Sequence, residues 1–153
     1  FKVFDVNLRA PHYDQTTLEQ LLSEANMVKM NANELALLST WYAPNADEET
    51  AIMALGTRFN LQTICVTKGE HGAVLWTGGQ FYQTGGFQVE VKDTIGSGDS
   101  FLAALLTGLL QGQSPEESVR FACATGSLVA TYYGATPFVS YEEIQSFLTP
   151  NLI

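Results

Sequence analysis

Basic residues are scarce in this chain: 7 Lys and Arg stand against 16 Asp and Glu, for a formal net charge of −9. Polyanions and acidic membrane surfaces are drawn by clustered Lys and Arg, so this balance excludes nucleic acid and an anionic membrane as expected partners. Long apolar runs are also missing. None approaches the ~20 residues that cross a bilayer, and the first residues lack the basic-then-apolar order of a secretory leader. Cysteine is confined to Cys65 and Cys123. Each stands alone in an apolar segment, which suits reduced core residues of a cytoplasmic protein rather than a disulfide framework. Internal repeats, low-complexity tracts and a domain linker are absent as well, so a single α/β region over residues 1–153 is expected.

What is present is the composition of a globular domain: 153 residues, 46% hydrophobic and 15% charged, enough for a core. The chain opens on Phe1-Lys2-Val3-Phe4-Asp5-Val6, which reads as a buried strand met part-way along; we therefore expect a piece of a larger protein. The polar residues Asp5, Asn7 and Arg9 fall at that strand's carboxyl end, where open α/β sheets place ligands. A loop follows in which His12 has no metal-binding or catalytic neighbour. Thr16-x-x-Glu19 has capping-box form and predicts a helix with Leu18, Leu21, Leu22 and Ala25 on one face.

A strand over residues 27–30 runs into Asn31-Ala32-Asn33-Glu34, a second helix start of capping-box form with Leu35, Leu37 and Leu38 behind it. Asp47-Glu48-Glu49 starts a third helix, its acidic cluster placed at the positive end of the dipole. Thr63-Ile64-Cys65-Val66-Thr67 is a β-branched strand that leads through Lys68-Gly69-Glu70-His71-Gly72 into another strand over 73–77. A plain glycine turn accounts for that connection. Gly78-Gly79 then turns into a short strand over 80–83, expected antiparallel to its neighbour. The alternation in Phe87-Gln88-Val89-Glu90-Val91 predicts a half-buried strand.

The most informative stretch is residues 92–102, Lys-Asp-Thr-Ile-Gly-Ser-Gly-Asp-Ser-Phe-Leu. A Gly96-Ser97-Gly98 turn that opens an apolar helix leaves backbone N–H groups unpaired at the positive end of the helix dipole, a ready anion site. Asp99 falls in the first turn beside it. A carboxylate there can take a proton from a hydroxyl while the hole neutralises charge on the group under attack. Short glycine strings also form ordinary tight turns, but the whole string Asp93-Thr94-x-Gly96-Ser97-Gly98-Asp99 is far more specific. It resembles the signature of the ribokinase-like (PfkB) carbohydrate kinases, which usually carry alanine where this chain has Ser97. Downstream, Ser114-Pro115-Glu116-Glu117 and Ser140-Tyr141-Glu142-Glu143 each start a helix, and Pro150 with a short apolar tail ends the chain.

The resemblance covers the carboxyl half of such a kinase, of fructokinase type. It implies a three-layer α/β fold with a central, mostly parallel sheet and helices on both faces, lacking the amino-terminal half and lid. In the family Gly96, Ser97 and Gly98 would form the anion hole for the transferring phosphoryl group, and Asp99 would be the base that activates the sugar hydroxyl. Asn31-x-x-Glu34 matches the motif near magnesium and triphosphate, with Glu34 acting through metal-bound water. Thr67-Lys68-Gly69-Glu70-x-Gly72 matches the nucleotide loop. Cys123 falls where family members carry a residue facing the adenine, and reads equally as a core cysteine. Gly134-Ala135-Thr136-Pro137 resembles a family loop. With it, Asp93, Ile95, Val129, Tyr132, Gly134 and Phe138 would offer mostly backbone oxygens to a monovalent cation such as K+.

Asn7 and Arg9 look like the fructokinase version of their strand end, where the arginine approaches the sugar or phosphate region. The implied function is ATP- and Mg2+-dependent phosphorylation of a sugar primary hydroxyl in a cytoplasmic enzyme, homodimeric at full length. Fructose is the first substrate, and another ketose or a keto-sugar acid, as in kinases of ribokinase or 2-keto-3-deoxygluconate type, is the second. A nucleotide-binding module without catalysis is the rival class, and it would have no need of Asp99. A dinucleotide-binding oxidoreductase would require Gly-x-Gly-x-x-Gly after the first strand, which is missing. A P-loop would require Lys-Ser/Thr after its glycines, also missing.

Overall fold

The computed structural model describes residues 1–149; Pro150 and the apolar tail expected to end the chain lie outside the described residues. The chain divides into two units, residues 1–68 with 74–81, and residues 69–73 with those from Tyr82 onward.

The first unit holds β1 (Val3–Asp5), α1 (Gln15–Glu24), β2 (Met27–Asn31), α2 (Ala32–Tyr42), α3 (Glu48–Phe59) and β3 (Thr63–Thr67). β4 (Ala73–Thr77) enters it at Val74, and β5 (Gln80–Thr84) leaves it at Tyr82. The strands follow one another across a single sheet in the order β1-β2-β3-β4-β5. β1, β2 and β3 are parallel, with Asp5 opposite Lys29 and Asn31 opposite Thr67. That arrangement explains the sequence of β2 and β3: a parallel strand covered on both faces needs a near-continuous apolar run, and Met27, Val28, Met30, Ile64, Cys65 and Val66 are all fully buried. α2 packs on α3 and on both central strands. Leu38, Ile52 and Leu55 bring the helices' apolar faces into the same core.

Two local expectations change here. The cap of α1 is Asp14 rather than Thr16: its carboxylate accepts the Thr17 N–H at 2.9 Å and the Thr17 hydroxyl at 2.8 Å. A charged acceptor two residues upstream outcompetes a hydroxyl for the same orphan donors. Leu18 and Leu22 are buried as expected, but Leu21 is 43% exposed. Between β4 and β5, Gly78 and Gly79 both have positive φ, at 58° and 76°, the pattern of a two-residue type I′ hairpin turn.

The second unit is helical. α4 (Ser97–Leu110) packs on α5 (Pro115–Val129), and α5 packs on α6 (Tyr141–Leu148). Ser114 and Glu117 complete a capping box at the start of α5, and Ser140 caps α6. Residues 87–91 form no strand. Their alternation is nonetheless real, because Phe87 and Val89 are half-buried while Gln88 and Glu90 are exposed. The sidedness comes from packing against a helix: the Phe87 ring lies 5.1 Å from that of Phe147 in α6. A period of two reports one buried face, whereas a strand also requires a ladder partner.

Candidate active site

Each unit gathers part of the predicted set. In the first, the carboxyl ends of three adjacent parallel strands carry Asn7 and Arg9, then Asn31 and Glu34, then Thr67 and Lys68. The expected capping box at Asn31 forms completely. Asn31 Oδ1 accepts the Glu34 N–H at 2.9 Å, and Glu34 Oε2 accepts the Asn31 N–H at 2.8 Å. The other carboxylate oxygen is engaged too: Glu34 Oε1 accepts the N–H of Leu8, beyond the end of β1, at 2.8 Å. Glu34 is accordingly only 7% exposed.

Below it the Lys29 ammonium straddles the Asp5 carboxylate at 3.1 and 3.2 Å, and the Val6 N–H bonds the Lys29 carbonyl at 2.9 Å. Asn7 sits between these ties in the left-handed region at φ 37° and is exposed, as is Arg9. Lys68 pairs with Glu48 at 3.2 Å. Neither the Leu8 bond nor the Lys29–Asp5 pair is legible as a motif, because each joins residues more than twenty positions apart.

In the second unit Gly72, at φ +86°, passes so close to residues 84–86 that a Cβ would lie 2.0 Å from the Thr84 carbonyl oxygen. Gly69 also has positive φ but faces open space, and Glu70 is exposed. Around the signature, Gly96 caps α4 in the left-handed conformation, and a Cβ on it would sit 1.9 Å from the Ala135 oxygen. The Ser97 N–H turns back onto the Thr94 carbonyl at 3.2 Å. Among the described residues no backbone acceptor meets the N–H groups of Gly96, Gly98 and Asp99, so the free donors are these three rather than Gly96, Ser97 and Gly98. Asp99 lies in the first turn of α4, exposed, and among the described residues no hydrogen bond or ion pair engages its carboxylate.

Ser97 has its own task. Its hydroxyl donates to the Gly126 carbonyl in α5 at 2.7 Å and ties the start of α4 to α5. Asp93 accepts the Ile95 N–H at 3.0 Å and the Gly134 N–H at 3.2 Å, joining the signature to the loop around Gly134. These bonds, with the Ile95 N–H the largest influence, hold its carboxyl below the usual aspartate range. The Val129 carbonyl accepts the Tyr132 N–H at 3.1 Å, the Tyr132 hydroxyl bonds Glu143, and Phe138 is almost fully exposed. Cys123 is 6% exposed in α5, its thiol pushed up to about 12 by burial, the environment of a packing cysteine.

The pfkB family carbohydrate kinase profile matches residues 1–141. The chain belongs to the pfkB family of carbohydrate kinases. As a pfkB chain it is 33% identical over 104 residues to the 2-dehydro-3-deoxygalactonokinase of Haloferax volcanii, covering 68% of this chain and 33% of that protein. It is 32% identical over 146 residues to fructokinase-2 of Solanum lycopersicum, covering 88% of this chain and 43% of that one. It therefore spans less than half the length of these curated relatives. Among solved structures, the fructokinase of Vibrio cholerae O395 with fructose, ADP and calcium ion bound aligns at a TM-score of 0.79 and 27% identity, over 96% of this chain and 50% of that one. The ribokinase-like fold expected from the pfkB signature is thus present, in part, with its mostly parallel sheet and flanking helices.

The start of α4 suits an anionic group such as a phosphate. The cradle at Gly96 leaves no room for a side chain, and among the described residues three N–H groups beside it meet no backbone acceptor. Among the described residues no three His, Cys, Asp or Glu side chains cluster as a metal cage.

Proposed function

We propose that this chain is the nucleotide-binding and catalytic portion of a sugar kinase that transfers the γ-phosphoryl group of ATP to a primary hydroxyl, with fructose the first substrate. The observation that carries this reading is the start of α4, where, among the described residues, an Asp99 carboxylate without a partner stands beside three N–H groups without a backbone acceptor. Phosphoryl transfer depends mainly on positioning and charge neutralisation, and such a site offers both. Asp99 accepts the proton of the attacking hydroxyl as the new phosphorus–oxygen bond forms and the bond to the departing nucleotide diphosphate breaks. The N–H groups of Gly96, Gly98 and Asp99 hold the oxygens of the transferring group, and Ser97 fixes the helix start that aims them.

Bound magnesium would neutralise charge on the triphosphate, and Asn31 and Glu34 are assigned to its water ligands. Thr67, Lys68, Gly69, Glu70 and Gly72 are assigned to the nucleotide, and Cys123 to the packing behind the base. Asp93, Ile95, Val129, Tyr132, Gly134 and Phe138 are assigned to a monovalent cation through backbone oxygens, since the Asp93 carboxylate is already committed to two N–H groups. Asn7 and Arg9 are assigned to the sugar.

Fructose is preferred because the two relatives described above that cover 88% and 96% of this chain are both fructokinases. A keto-sugar acid is the second reading, supported by the 33% identity to the haloarchaeal 2-dehydro-3-deoxygalactonokinase. A coupled kinase assay of the full-length protein against fructose, ribose and 2-keto-3-deoxy sugar acids decides between them. In the same assay Asp99→Asn is expected to lower turnover by about 10²–10⁴-fold with little change in ATP affinity. Near-normal turnover would remove Asp99 from the role of base.

A further inference from the structure

Glu34 does something that neither its capping box nor a magnesium-water role requires. A capping box needs one carboxylate oxygen, which Oε2 provides at Asn31. Oε1 instead reaches 26 residues back along the sequence to the Leu8 N–H, and it does so inside a nearly closed environment. Leu8 lies between Asn7 and Arg9. The strand end that carries them is therefore tied at three points, two on β2 and one on the first turn of α2: Asp5 to the Lys29 ammonium, the Val6 N–H to the Lys29 carbonyl, and the Leu8 N–H to Glu34. The Val6 and Leu8 ties both lie beyond β1, and together they bracket Asn7, which takes a left-handed backbone.

We propose that Glu34 is a positioning residue for the sugar side of the site: its carboxylate sets the strand end bearing Asn7 and Arg9 against the helix start bearing Asn31. The roles of those residues rest on the kinase reading above, whereas the clamp itself does not. One carboxylate accepting from both backbones makes the two groups move as a unit, so loosening the helix start also loosens the approach of Arg9. The chemistry of the clamp is specific to a carboxylate. Glutamine presents one acceptor and one NH2 group. In Glu34→Gln, either the Leu8 or the Asn31 N–H then faces a donor and is left unsatisfied in a buried place. Aspartate keeps the charge but is one methylene too short to span both N–H groups.

Two measurements on the full-length protein test this. Hydrogen-exchange mass spectrometry of the peptide covering residues 6–9 should show opening at least about tenfold more frequent in Glu34→Gln and in Glu34→Asp, the scale of one lost buried hydrogen bond. Steady-state kinetics should show the sugar KM of Glu34→Gln raised by about tenfold. Added to Arg9→Ala, the same substitution should raise it little further, because both changes disable one unit. Unchanged exchange in both variants overturns the clamp. So does a shift confined to the magnesium half-saturation, with the sugar KM unmoved. Should the protein phosphorylate none of the sugars, the kinase reading fails while the exchange result still decides the clamp.

Discussion

Gly96 meets two demands that no other residue type satisfies together. Its φ of +80° lies in the left-handed region, and the Ala135 carbonyl occupies the space a side chain would enter. Any Cβ there must push the Gly134–Ala135 segment off the helix start, which would move the free N–H groups of Gly98 and Asp99. Gly96→Ala should therefore cost roughly 1–3 kcal/mol of stability, the scale of a strained backbone site, and lower nucleotide affinity in parallel. Thermal unfolding and ADP titration on the same sample check this; a variant with unchanged melting and binding would show that the loop yields freely. Ser97 illustrates a different point. The alanine usual in the family would keep the backbone N–H, but the serine hydroxyl adds a bond to the Gly126 carbonyl.

At the level of elements, side-chain caps start every α-helix among the described residues except α4, and two of these caps, Asp14 and Asp47, are carboxylates. Asp14 is held below the ordinary aspartate range chiefly by the Thr17 backbone N–H, and Asp47 by that of Thr50. Asp93 is held down in the same way, chiefly by the Ile95 N–H. A carboxyl whose pKa falls on folding stabilises the native state above its unfolded value, and that contribution is lost as pH drops through the folded value. Stability should thus be steady near neutrality and decline below about pH 4, where unfolded aspartate begins to bind protons. Asp47→Asn retains a good cap without the titrating group. Its urea midpoint should match the parent at pH 7 and fall less between pH 4 and pH 2. An identical acid decline in the two proteins would show that Asp47 is not held below its unfolded value.

For the whole molecule, the relevant fact is that the chain spans less than half the length of the curated relatives described above. The proposed nucleotide groups, the free N–H groups and Asp99 all lie within these residues, whereas on the sugar side only Asn7 and Arg9 do. Nucleotide and sugar binding should therefore separate in the 153-residue chain. We expect weak binding of MgADP, no measurable fructose affinity and negligible transfer, because an acceptor hydroxyl that is neither held in line nor shielded from water gains little from the base. Calorimetric titration with each ligand, followed by the coupled assay, tests this. Rapid fructose phosphorylation by this chain alone would place the sugar contacts within it.

Local physics was enough for much of this. The capping boxes at Asn31 and Ser114, the buried strands β2 and β3 and the glycine-led start of α4 each depend on residues within a few positions of one another, so local pattern alone revealed them. The sequence also carried the signature string that identifies the family. Tertiary structure decided whatever depends on meetings between distant segments. Only the fold shows that the alternation over residues 87–91 faces a helix instead of a sheet, and that Glu34 reaches Leu8 as well as Asn31. The same holds for the Ser97 hydroxyl on Gly126 and the Asp93 carboxylate on Gly134. A hydrogen bond between residues 26 or more apart leaves no periodicity in the chain; it exists because parallel strands and packed helices carry those residues to the same place.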